Sequence, residues 1–363
     1  MRKLDAFWIA AALAVAIAGG PAVAKMRLIG TIAIPGEPLE SYDISYIDQK
    51  TNQLYLADRS NKGIDIFDLK TSNFVGRVAG FVGFTTGNGN AGPNGVTTAN
   101  NGTEVWAGDG DSTVKVIDLK TMKIVDTIST GGKKRADEVG YDPKNQVFIV
   151  ANDADEPPFV TLISTKPGHK IIGKIVFEHA TDGIEQSQYN PDDGMFYVDI
   201  PVLDKDKTKG ALAVIDPKTA KLVKMIPVDN CIPHGLAIGK QGKMFLGCNA
   251  GGARSGLPGQ LTVVDARQGK VIAEIKGPGG SDESGVNNKI DQYYSALGNN
   301  PGGPVLAVVD AKTNALLQLV PTAPGAHSVA ASEFNNRVYV PSGNKTPAGP
   351  GPCGGCILVF GPE

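Results

Sequence analysis

The sequence predicts an all-β fold, a seven-bladed β-propeller with four antiparallel strands per blade. Three observations predict it: a motif that recurs about every fifty residues, four short strands in each repeat, and one unpaired strand near the start of the chain. The content of turn formers, 46 Gly and 24 Pro in 363 residues, fits a chain that reverses direction this often.

In chain order, residues 1–24 (MRKLDAFWIAAALAVAIAGGPAVA) combine a basic start at Arg2 and Lys3, an apolar run from Ala6 to Ala18, and an Ala22-Val23-Ala24 cleavage pattern. This is the layout of a secretory signal peptide, and the run is shorter than the roughly 20 residues a spanning helix needs. The mature protein is therefore expected to be periplasmic or secreted, without a membrane span, as a single domain over residues 25–363. Next comes KMRLIGTIAIPG (25–36), which matches TMKIVDTISTGG (121–132) at Met26, Thr31, Ile32 and Gly36. It reads as the outer strand of a blade whose other strands do not precede it.

Seven hairpins follow: YDISYIDQKTNQLYLAD, NGVTTANNGTEVWAGD, DEVGYDPKNQVFIVAND, GIEQSQYNPDDGMFYVD, PHGLAIGKQGKMFLGCN, the shorter GVNNKIDQYYSALGN, and AHSVAASEFNNRVYVPSG. Each supplies strands A and B of a unit. A variable loop then leads to strand C, a polar turn and strand D, as in QLTVVD, ARQG and KVIAEI. The C–D turns begin at residues 68, 118, 164, 216, 265 and 310, which are 50, 46, 52, 49 and 45 apart. The last unit ends at CILVF, a C strand with no D strand after it. The N-terminal strand is expected to complete this seventh blade, closing the ring and removing the edges of an open sheet.

The B strands VYVPSG, MFYVD and VFIVAND, with VIDLKT or VIDPKT at the C–D turns, resemble the YVTN-type β-propeller repeat proteins across essentially the whole mature chain. The resemblance implies the fold and says little of function, because these signature residues build blades and turns rather than a site.

Loss of residues 1–24 removes Arg2, Lys3 and Asp5 and moves the formal net charge from −2 to −3, which gives no basis for nucleic acid or an anionic membrane as partner. Four cysteines are an even number in an exported chain. Cys231 and Cys248 bracket the fifth hairpin and pair if its strands are neighbours. Cys353 and Cys356, in PCGGC, close a small loop or bind a metal.

In propellers the residues entering strand A converge on the mouth of the central channel. Here those entries carry Asp43, Asn94, Asp137 with Glu138, Glu185, His234, Asn287 with Asn288, and His327. His234 and His327 fall at equivalent positions two blades apart and are the candidates for catalytic work. Glu185, Asp137, Glu138, Asp43 and Asn94 are the candidate metal ligands: their hard oxygens suit calcium, and with imidazole they suit zinc. The competing reading pairs the acids with Arg59 and Arg135. The B–C loops GDGDS (108–112) and NDADEPP (152–158) lack the complete calcium-loop pattern and read as ordinary Asp and Gly turns. Two Gly-rich connections, 80–95 and 277–288, and the loop 249–259 with Arg254 are expected to rim the mouth. His169 and His179 are expected at the surface.

Two functions fit. The first is an exported binding or scaffold protein of the cell envelope, monomeric, holding a small molecule, metal or protein partner at the funnel. The second is a divalent-metal-dependent hydrolase or lyase; the gluconolactonase and senescence-marker propellers are similar in placing a cation on Glu, Asn and Asp, and would imply lactone hydrolysis. No G-x-S-x-G supports a serine nucleophile, and no C-x-x-C-H supports covalent haem.

Overall fold

The computed structural model describes residues 25–363 except 86, 88, 254, 347 and 348, so the expected signal peptide, residues 1–24, and Arg254 lie outside the described residues. Seven four-stranded antiparallel sheets form the blades. Blades 1–6 run A, B, C, D in chain order, as in blade 5 with Pro233–Ile238, Lys243–Cys248, Gln260–Asp265 and Lys270–Lys276. In blade 7 the order is Ala330–Ala331, Val338–Ser342, Cys356–Pro362 and then the N-terminal strand Met26–Ala33. Met26 stands opposite Pro362 and Ile32 opposite Ile357, so the two ends of the chain close the ring as the sequence predicts.

Burial explains the strand composition. B and C strands lie between their sheet neighbours and adjacent blades and read as almost unbroken apolar runs; KGALAVID and VFIVAN are buried along nearly their whole length. D strands form the outer wall and alternate, as in KIVDTIS, whose residues are exposed and half-buried in turn. Seven apolar clusters occupy the blade-to-blade interfaces, for example Ile64, Val78, Val105 and Ile117 between blades 1 and 2.

The recurrent Asp at the C–D turn has a direct cause. Its carboxylate accepts a hydrogen bond from a backbone N–H two or three residues on, at 2.9 Å from Lys70 to Asp68, 2.7 Å from Thr121 to Asp118 and 2.8 Å from Lys312 to Asp310. A residue before each such turn the ladder slips by one in all six complete C–D pairs, for instance at Val116/Ile117 and Val263/Val264. These bulges raise the local twist that lets each blade lean on the next.

Cys231 is joined to Cys248 and Cys353 to Cys356, with Cα–Cα distances of 4.7 and 5.9 Å. The first bridge closes 17 residues and the second 3. Loop-closure entropy then gives about 3 kcal/mol for the first and about 1.5 kcal/mol for the second. Denaturant unfolding of the paired Cys→Ala variants is expected to show the larger loss for Cys231 and Cys248; equal losses would refute the assignment of an entropic role.

One expectation is corrected. His169 is not a surface side chain: its Nδ1 is 2.6 Å from Asp126 Oδ2 and its ring lies edge-on to the fully buried Trp106 at 4.9 Å, covering the indole from outside. His179 is exposed and pairs with Asp204 at 2.7 Å.

Candidate metal centre

Seven equivalent positions, one per blade, surround the axis two residues before the A-strand core. They are Asp43, Asn94, Asp137, Glu185, His234, Asp282 and His327. The backbone fixes the equivalence: the N–H of Asp43, Asn94, Asp137 and Glu185 donates to Ala57, Gly108, Ala151 and Asp199 of the neighbouring B strand. Blade 6 departs from the sequence reading. Its A strand is Ser284–Asn287, so Asp282 holds the entry position, while Asn287 ends the strand and accepts the Lys289 N–H in the A–B turn. The Gly-rich connection 277–288 thus contains the strand and the ligand position as well as the loop.

The seven side chains divide into two groups. On blades 1–3, Arg59 ion-pairs with Asp43 and donates from Nε and Nη2 to Asn94 Oδ1 at 3.0 and 2.6 Å, while the Asn94 amide donates to Ala136 O at 2.8 Å. Arg135 spans Asp137 at 2.5 Å and Asp153 at 2.7 Å. Burial, the largest influence on Asp43, lifts its carboxyl to about 7 against the pull of Arg59. Burial acts on Asp137 as well, but Arg135 and Arg59 together outweigh it and hold this carboxyl below its ordinary value. Asp43, Asn94 and Asp137 are therefore already engaged by arginines, the competing arrangement that the sequence offered.

Glu185, His234 and Asp282, on blades 4, 5 and 6, are different. Their ligand atoms all lie within 4.8 Å of one another. His234 Nδ1 is 3.5 Å from Glu185 Oε1 and 3.4 Å from Asp282 Oδ1. Asn249 Nδ2 lies 3.3 Å from His234 Nε2 and fixes the ring so that Nδ1 faces both carboxylates. Asn249 follows Cys248 directly, and the Cys231–Cys248 bridge clamps the strand entry that carries His234, so one staple holds both the imidazole and its orienting amide. Burial, then the charges of Asp282 and Asp153, push Glu185 well above the usual carboxylate range. Asp282 has a side chain 45 % exposed at the mouth. What burial the mouth imposes works to raise its carboxyl, yet the hydrogen bond and charge of His234 hold it below its ordinary value.

His327 does not join this group. Its Nδ1 donates to Gly325 O at 2.9 Å, its ring stacks on Tyr42 at 4.4 Å, and its Nε2 is 3.8 Å from Asp43 Oδ1. Glu138 lies one layer deeper, beside Gln186 and Glu283. In the B–C loops, Asp109 pairs with Lys115, and Asp155 accepts the N–H groups of Lys133 and Lys134 at 3.0 Å each, so turn chemistry uses both. Asp282 and Asp153 are the functional-site acids that sequence reasoning passed over; Asp282 stands 48 residues after His234, one blade period, and that spacing is the signal that could have found it.

No family model matches the chain, and neither does any curated protein. Among solved structures the chain is similar to hydrazine synthase of Kuenenia stuttgartiensis, with a TM-score of 0.69 at 14 % identity, over 85 % of this chain and 95 % of that one. It is also similar to a chain of the mitotic checkpoint complex, with a TM-score of 0.68 at 10 % identity, over 98 % and 99 %. At such identities the likeness is one of fold alone, and the fold that the chain shares with both is the β-propeller.

Proposed function

We propose that this chain is a cell-envelope propeller that binds a first-row divalent cation at one end of its axis, on Glu185, His234 and Asp282, and presents it to a small molecule or protein at the mouth. The convergence of these three ligand atoms carries the reading. Tetrahedral ligands about 2.1 Å from zinc stand roughly 3.4 Å apart; the His234–Glu185 and His234–Asp282 distances are 3.5 and 3.4 Å. Two carboxylates this close repel unless a proton or a cation lies between them. The exposure of Asp282 leaves a fourth position open to solvent. The leader-like N-terminus and the two disulfides support an exported, oxidising location. YVTN-type membership and a monomeric state belong to the same proposal.

The lactonase-like alternative has less support. It calls on Asn94 and Asp137 beside Glu185, and Arg59 and Arg135 occupy the first two.

Elemental analysis of purified protein, followed by zinc, manganese and calcium titrations read by calorimetry, tests the site. One equivalent of zinc or manganese is expected, lost in His234→Ala and Asp282→Asn and retained in Asp137→Asn. Absence of any stoichiometric cation, or equal loss in Asp137→Asn, would refute the proposal.

A further inference from the structure

At the other end of the axis a cavity of about 690 Å³ opens between the A–B turns, within the range of small-ligand sites. Val96, Val139, Leu236, Val286 and Val329 give it apolar walls, and Glu138 and Gln186 form its floor one layer beneath the metal centre. Gln186 is fully used. Its Oε1 accepts the N–H groups of Leu236 and Ser284, and its Nε2 donates to Ser284 O at 3.3 Å, which satisfies the inner edges of the blade 5 and blade 6 A strands.

Glu138 is not used in this way. It is 6 % exposed, it lines the cavity, and its side chain meets that of Glu283 across the axis. Among the described residues no Lys, Arg or His forms an ion pair with either, whereas Asp43 and Asp137 one layer above each have an arginine. A buried charge without a counter-charge is costly, and a cationic group at the cavity floor relieves it.

We propose that this cavity binds an organic ammonium ion with an apolar body, the ammonium against Glu138 and the body along the valine and leucine walls. The apolar walls favour this occupant over a hydrated inorganic cation, which gains nothing from them. The site is separate from the metal centre, and the failure of one leaves the other standing.

Calorimetric titration of chelator-treated protein with hexylammonium, methylammonium and hexanol tests it. Hexylammonium is expected to bind at least tenfold more tightly than either comparison compound, because only it supplies both charge and apolar length. Glu138→Gln, which keeps shape and removes the charge, is expected to weaken hexylammonium at least tenfold. Glu283→Gln is the second variant should Glu138→Gln fail to fold, with the same loss expected. Equal binding of hexanol, equal binding of methylammonium, no binding at all, or an unchanged affinity in the glutamine variant would each overturn the proposal.

Discussion

Removing residues 25–33 is expected to cost the protein its soluble folded state. The N-terminal strand covers Cys356–Pro362, whose Ile357, Leu358, Val359 and Phe360 are at most 5 % exposed, and it buries Met26 and Ile32. Each of those two side chains is worth about 1.5–3 kcal/mol, and each ladder hydrogen bond about 1 kcal/mol. The total approaches the whole stability of a typical domain, about 5–15 kcal/mol. The truncated chain would also present an apolar edge strand, a template for association. Aggregation or a strongly lowered melting temperature is the expected result, with rescue by a peptide of residues 25–36 supplied in trans. A truncated protein that stays monomeric with an unchanged melting temperature would show that closure contributes little.

Asp199→Ala is expected to stabilise the protein at pH 8. Asp199 is 0 % exposed, and neither carboxylate oxygen has a hydrogen-bond partner. Burial, reinforced by the charge of Glu283, raises its carboxyl well above the usual carboxylate range. The folded state thus holds a proton that the unfolded state releases above about pH 4, so this group stabilises folding only at acid pH. Its contribution declines by about 1.4 kcal/mol per pH unit until the folded-state value is reached. Alanine removes that slope, and the fold accepts it there, since Ala57, Gly108 and Ala151 hold the equivalent position in blades 1, 2 and 3. Urea unfolding from pH 4 to 8 should show the gain growing with pH. A variant less stable than the parent at pH 8 would mean that Asp199 has a partner worth more than its burial costs.

The fold was legible because its cause repeats. The turn aspartates, the alternating D strands and the lone N-terminal strand each follow from local hydrogen bonding or from the need to cover an edge. The candidate site was legible only in part. His234 and Glu185 stand where blade register puts them, but Asp282 lies among glycines and serines that carry no apolar alternation, and the sixth hairpin, GVNNKIDQYYSALGN, reads with its entry at Asn287 and Asn288, so only the blade period points to Asp282. Arg59 and Arg135 were visible as residues, while their choice of Asn94, Asp43 and Asp137 depends on B-strand and loop geometry that no spacing reports. The pairing of Glu138 with Glu283 spans three blades and had no local signature at all.

The strand that closes the ring is also the first part of the fold to be made. Residues 26–33 leave the ribosome long before residues 356–362, their pairing partners. During synthesis the N-terminal strand must wait, solvent-exposed and unpaired, while the other blades assemble. Its Arg27 and the interrupted register at Leu28 and Gly30 make it a poor template for premature pairing, properties that suit a segment whose partner arrives last.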